Sequence, residues 1–176
     1  MRAADYLAPT GFLPKMLPGY VCRPAQMEMA EAVNRALDDD GVLLVEAGTG
    51  TGKTLAYLLP AILDGRRVVI STGTIALQDQ IMEHDLPLVS RLVGSPVSAV
   101  SLKGLSNYVC LRRYDEFRRS AASVSGAGAK HLPLIEAWRG TTKTGDRSEL
   151  KGLPEDSAAW AGVMSSADTR IGAPCS

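Results

Sequence analysis

The sequence predicts an α/β fold, a parallel sheet with helices packed against its faces. Three short apolar runs, Val42–Val45, Val68–Ile70 and Val97–Leu102, alternate with segments of helical periodicity. Strand, helix, strand, helix, strand within about sixty residues calls for right-handed crossovers in one sheet. The turn after the first run, Glu46-Ala47-Gly48-Thr49-Gly50-Thr51-Gly52-Lys53-Thr54, opens directly into apolar Leu55-Ala56-Tyr57-Leu58-Leu59. A strand, a glycine-rich loop and a helix therefore arrive in that order.

Each element follows from local chemistry. Residues 1–22 carry Pro9, Gly11, Pro14, Pro18 and Gly19 and read as an irregular lead-in. Pro24 suits a first helical turn, and Met27, Ala30, Val33 and Leu37 continue at helical spacing until Asp38-Asp39-Asp40-Gly41 stops them. That acidic triplet reads as a solvated helix end, not a metal site. Lys53–Leu63 forms the helix after the loop, bent or tightened by Pro60. A helix from about Ile75 to His84 follows the second strand. Beyond Cys110 no strand pattern appears. Leu111–Arg119, Leu132–Trp138 and Ser157–Met164 read as helices, the last burying Trp160 and Val163, with Thr141–Asp146 a polar turn between.

The glycine loop carries the strongest chemical signal. Glycines permit backbone conformations that point successive N–H groups into one concavity, and the next helix aims its positive end at the same place. The loop from Ala47 through Gly48, Thr49, Gly50, Thr51 and Gly52 fits the cradle of a nucleoside triphosphate. Lys53 reaches the β- and γ-phosphates, and the Thr54 hydroxyl ligates Mg²⁺. In parallel sheets ligands collect at the carboxyl ends of the strands, where Ser71–Thr74 and Lys103-Gly104 also fall. Upstream, Arg23-Pro24-Ala25-Gln26 opens a helix, and a glutamine amide matches the N6 and N7 edge of adenine. Thr72-Gly73-Thr74 through Gln80 offers hydroxyls and N–H groups suited to nucleic-acid phosphates, while Thr74 equally suits an N-cap.

Composition narrows the class without deciding it. The chain has 176 residues, and 45% hydrophobic content supports a real core. Lysine plus arginine and aspartate plus glutamate both number 19, so any claim of a nucleic-acid partner rests on local sites. The apolar stretch Thr54–Leu63 falls short of the ~18–20 residues a membrane span needs. Three cysteines without a signal peptide indicate a reducing, cytoplasmic setting. Cys22, on the nucleotide side, is expected to be a small buried hydrophobe.

Taken in order, Gln26, the 46–54 loop, Thr72–Gln80 and Leu102-Lys103-Gly104 through Asn107-Tyr108-Val109-Cys110 resemble the iron–sulfur group of superfamily 2 DNA helicases. Within that XPD-related group, the DinG-like and YoaA-like branch is the most similar, over about Tyr20 to Cys175. The resemblance implies a P-loop NTPase (RecA-like) fold and ATP-driven 5′-to-3′ movement on single-stranded DNA, in repair or replication. It gives Arg23 and Gln26 to the nucleotide base, Lys53 and Thr54 to catalysis, and Thr72, Thr74, Gln80, Lys103 and Asn107 to DNA. Residues 1–109 correspond to the N-terminal part of the first motor domain, and 110–176 to a partial helical iron–sulfur-type insertion.

Two departures follow from the same match. Leu105 stands where the family usually has a basic residue. Cys110 and Cys175 take the first and third cluster positions, Arg170 stands at the second, and the fourth lies past Ser176. A guanidinium does not replace a thiolate on iron, so no stable [4Fe–4S] cluster and a loosely ordered 120–176 segment are expected. Asp115-Glu116 reads as helix surface, so the hydrolytic carboxylates are expected to be missing, and the resemblance implies that the family's second motor domain is missing too. The chain then reads as an N-terminal helicase fragment, inactive alone. A small-molecule kinase with the same loop, or a non-catalytic nucleotide-binding module, are the alternatives.

Overall fold

The computed structural model describes residues 2–120 and 128–171, arranged as two compact units, Met1–Ser101 and Leu102–Ser176. In the first unit, α1 (Ala3–Leu7) and α2 (Phe12–Met16) replace the irregular lead-in expected from its prolines. Pro14 falls within the first turn of α2, where a missing N–H costs nothing, and Leu7 and Leu13 are fully buried.

Helix α3 (Pro24–Asp38) begins as predicted, with Pro24 at its first position. It packs against α4 (Lys53–Asp64) through Ala30 and Ala56, both fully buried, whose small side chains let the two backbones approach. Helix α4 continues through buried Pro60 to Asp64. The acidic triplet ends α3 in ion pairs: Asp38 meets Arg2 at 3.2 Å, and Asp40 meets Arg66 at 2.6 Å.

The helix expected from about Ile75 to His84 begins as α5 (Ile75–Gln80), and its helical path continues past His84. A π-helical turn, Ile81–Asp85, leads straight into α6 (Leu86–Val93). Buried Ile81, Val89 and Leu92 hold this continuous rod on the core formed with α1 and α4.

The expected parallel sheet does not form among the described residues. Val42–Val45, Val68–Ile70 and Val97–Leu102 run without regular secondary structure, and the described residues hold two isolated antiparallel bridges, Tyr108 to Asp146 and Val109 to Met164. The physical reason is pairing. A helix satisfies its backbone locally, whereas a strand needs a neighbour for every N–H and C=O. Val42 is 95% exposed, Leu44 92% and Val100 92%, so these apolar segments lack the cover that a sheet would give them.

In the second unit, α7 (Leu111–Arg119), α8 (Leu132–Arg139) and α9 (Ala158–Val163) match the three predicted helices. Contrary to the loose order expected, residues 128–171 help build a core of Tyr114, Ile135, Trp138, Leu150, Trp160 and Val163. The two indoles meet edge to face at 6.0 Å, and the Trp160 Nε1–H donates to the Ser106 carbonyl at 2.9 Å. Asp115 and Glu116 lie on α7, with Glu116 paired to Arg112. Among the described residues no helix is long and apolar enough to cross a membrane.

Candidate nucleotide-binding site

The loop 46–52 is shaped by two left-handed glycines, Gly50 at φ +76° and Gly52 at φ +81°. A Cβ on Gly52 would lie 2.2 Å from Gln26 Nε2, so glycine is required there by space as well as by conformation. Gly52 is also the N-cap of α4, which places the helix's unsatisfied N–H groups at the loop. The Thr51 hydroxyl donates to the Gly48 carbonyl at 3.0 Å. The Lys53 ammonium donates to the carbonyls of Ala47 at 2.8 Å and Gly48 at 2.6 Å, folding the lysine back over the loop. Thr49 is exposed, and Thr54, in the first turn of α4, is half-buried.

Gln26 is 2% exposed, with both ends of its amide occupied. Its Nε2 donates to the Gly52 carbonyl at 3.0 Å, and its Oε1 accepts from the Tyr20 hydroxyl at 2.8 Å. The same hydroxyl lies 3.1 Å from the Leu7 carbonyl, so its one proton is shared between that acceptor and Gln26 Oε1, linking α1 to the phosphate loop. Burial raises the Tyr20 phenol above its ordinary pKa, which keeps the hydroxyl a donor at neutral pH. No motif assigned Tyr20 a role, although it sits six residues before Gln26. Arg23 is the exposed N-cap of α3. Cys22 is half-buried, its sulfur 3.2 Å from that of Met27.

Of the residues expected to meet DNA, Thr74 caps α5 by accepting from the Leu77 N–H at 3.2 Å, and the Thr72 hydroxyl donates to the Thr74 carbonyl at 3.1 Å. Gln80 donates to Asp85 at 3.2 Å across the π-helical turn; burial raises the Asp85 carboxyl pKa against that bond. In the second unit the Lys103 side chain is 2% exposed, its ammonium 3.1 Å from Asp146. Asn107 donates to the Gly104 carbonyl at 3.1 Å. Burial pushes the Asp146 carboxyl up, but the Ser148 N–H and Lys103 outweigh it and hold it below the usual range. Asp146 is a partner the sequence did not disclose.

The iron ligands do not assemble among the described residues. Cys110 is half-buried at the start of α7, Arg170 is exposed, and Cys175 lies outside the described residues. No cluster of three or more histidine, cysteine or carboxylate side chains occurs there. Among the described residues Cys110 alone supplies one of the four thiolates that such a centre takes.

A left-handed glycine loop leading into a helix N-terminus that carries Lys53 and Thr54 is the arrangement of a P-loop NTPase. Comparison with known proteins then places the chain more narrowly: residues 23–117 match the DEAD/DEAH box helicase family, and the chain belongs to it. It is 42% identical to the ATP-dependent DNA helicase YoaA of Escherichia coli K12, over 97% of this chain and 27% of that protein. It is 39% identical to the ATP-dependent helicase DinG of Mycobacterium tuberculosis H37Rv, over 85% of this chain and 26% of that protein. It is also 38% identical to the 3′-5′ exonuclease DinG of Bacillus subtilis, over 78% of this chain and 15% of that protein. The chain thus spans about a quarter of the length of the helicase relatives. The resemblance read from the motifs agrees with these matches.

Proposed function

We propose that this chain is the nucleotide-binding N-terminal part of an ATP-dependent DNA helicase, residues 1–109 belonging to the first motor domain and 110–176 to a helical insertion. The observation that carries the reading is the joint geometry of Gly50, Gly52, Lys53 and Gln26 around one loop. ATP supplies a polyanion for the cradle and Mg²⁺ a Lewis acid for its phosphates. Lys53 leaves the Ala47 and Gly48 carbonyls to neutralise the phosphate charge, and Thr54 is the Mg²⁺ ligand. Ala47 through Thr51 line the cradle with backbone N–H groups. Gln26, freed from Gly52, turns its amide to adenine beside Arg23.

In the complete motor, Val42–Val45, Val68–Ile70 and Val97–Leu102 become strands of a parallel sheet. Their exposure here supports that reading, because apolar strands covered on both faces are what such a sheet contains. Single-stranded DNA, tracked 5′ to 3′ in the reducing cytoplasm, is the substrate, with Thr72, Thr74, Gln80, Lys103 and Asn107 on its path. Lys103 acts there from a buried ion pair, as a positioning residue.

ATP titration of Lys53→Ala against Lys151→Ala tests the site, since Lys151 is exposed and outside the loop. Loss of affinity in the first variant alone is expected. Equal affinities sink the assignment. ATP hydrolysis by this chain, with and without single-stranded DNA, is expected to be negligible, because the hydrolytic carboxylates and arginine are not among its motifs.

A further inference from the structure

We propose that the cavity beside Cys110 and Arg170 in the second unit is an anion site that takes a phosphoryl group. The segment after α9 is laced alongside the entry to α7. The Cys110 N–H donates to the Val163 carbonyl at 2.8 Å, and the Ser165 N–H to the Tyr108 carbonyl at 2.8 Å. Arg112 Nη2 donates to the Thr169 carbonyl at 2.7 Å. Between them lies a cavity of about 820 Å³, within the roughly 300–1,000 Å³ typical of ligand sites.

The walls set the chemistry of the occupant. Arg112, Arg139, Lys143 and Arg170 line the cavity, and no aspartate or glutamate is among the described lining residues. Two of these cations are partly engaged: Arg112 reaches Glu116 at 2.5 Å, and the Arg139 guanidinium lies 4.7 Å from the centre of the Tyr114 ring. Lys143 and Arg170 are exposed and make no ion pair with a described carboxylate. Arg112 Nε is buried without a hydrogen-bond partner, so this guanidinium is not fully satisfied by Glu116 and Thr169.

Cys110 and Arg170 share this cavity, so the residue at the position of a second thiolate faces the same space as the first cysteine. A guanidinium there selects oxyanions over iron, through its fork of N–H donors. The phosphoryl group comes either from the backbone of single-stranded DNA or from free phosphate. The two sources share one chemistry and are separable by experiment.

The test uses the full chain in a Lys53→Ala background, which removes the phosphate loop's own cation. Binding of a fluorescent oligothymidine is followed by anisotropy, and of pyrophosphate by calorimetry, for Arg170→Glu, Lys143→Glu and Arg170→Lys. Both side chains are exposed, and far-ultraviolet circular dichroism checks that each variant folds. Each charge reversal is expected to weaken binding about tenfold or more, as loss of a charge-assisted contact does, with Arg170→Lys between it and the parent. A loss confined to oligothymidine assigns the site to the DNA backbone; a loss confined to pyrophosphate assigns it to a free phosphate. Affinities unchanged by both reversals overturn the anion site. If Lys53→Ala alone still abolishes ATP binding in that case, the nucleotide reading stands by itself.

Discussion

Alanine at each loop glycine should separate conformation from space. At Gly48 the backbone is not left-handed and a Cβ meets nothing within 4 Å, so Gly48→Ala is expected within about 0.5 kcal/mol of the parent. At Gly50 the space is also open but φ is +76°, so alanine pays for the left-handed conformation alone, about 1–2 kcal/mol. At Gly52 the φ of +81° adds the same strain, and the new Cβ strikes Gln26 at 2.2 Å from Nε2 and 2.8 Å from Cδ. The glutamine must move, breaking its bonds to the Gly52 carbonyl and the Tyr20 hydroxyl inside the core. Leaving such buried groups unpaired adds roughly 1–3 kcal/mol, for a total of about 2–5 kcal/mol.

The assay is urea unfolding followed by far-ultraviolet circular dichroism, with ATP titration of each variant in parallel. The expected order of midpoints is Gly48→Ala, then Gly50→Ala, then Gly52→Ala lowest. Equal midpoints for Gly52→Ala and Gly50→Ala would show that Gln26 does not bear on Gly52, and the hydrogen-bonded chain behind the loop would fall with it.

Three further outcomes are expected. Tyr20→Phe deletes the hydroxyl that satisfies Gln26 Oε1, which should cost about 1–3 kcal/mol in stability and weaken ATP binding, read by thermal melting and nucleotide titration. Leu59→Ala, at a fully buried position on α4, should cost about 2–5 kcal/mol in a urea titration. In the second unit the Asp146 carboxyl is held below its ordinary value, so its contribution is complete above an unfolded pKa of about 3.9 and fades as pH falls through the lower folded value. Fluorescence of Trp138 and Trp160, both in that unit's core, should therefore report a loss of stability below about pH 4 that Asp146→Asn flattens.

How much was legible in the sequence depended on how far each feature reaches along the chain. Helices α3, α4, α7, α8 and α9 were readable because apolar spacing and caps act within a few residues. The loop was readable because its function needs contiguous residues. Helices α1 and α2 were not, since their prolines and glycines outweighed burial of Leu7 and Leu13 against distant α3 and α4. The merging of α5 into α6 turned on one π-helical turn, which no periodicity announces. The partners that fix side chains, Tyr20 for Gln26 and Asp146 for Lys103, are set by the fold; the second lies 43 residues away in sequence.

The strands are the informative mismatch. Val42–Val45 leads into the phosphate loop, Val68–Ile70 into the turn that Thr74 caps, and Val97–Leu102 towards Lys103. Each arrives where a sheet strand should, yet none is paired. Hydrophobic residues at 89–95% exposure, as at Val42, Leu44, Val69 and Val100, are costly in water at about 25 cal/mol per Å² of apolar surface. Their cover must come from pairing and packing that these segments do not find in one another here. The YoaA relative runs to nearly four times this length, since the match covers 27% of it. Supplying the rest of such a relative's chain in trans should convert exposed segments into protected ones. Hydrogen exchange read by mass spectrometry is the measurement: slowed exchange at 42–45, 68–70 and 97–102, with the helices unchanged, is expected. Unchanged exchange there, despite binding of the added chain, would remove the sheet from the proposal while leaving the loop chemistry intact.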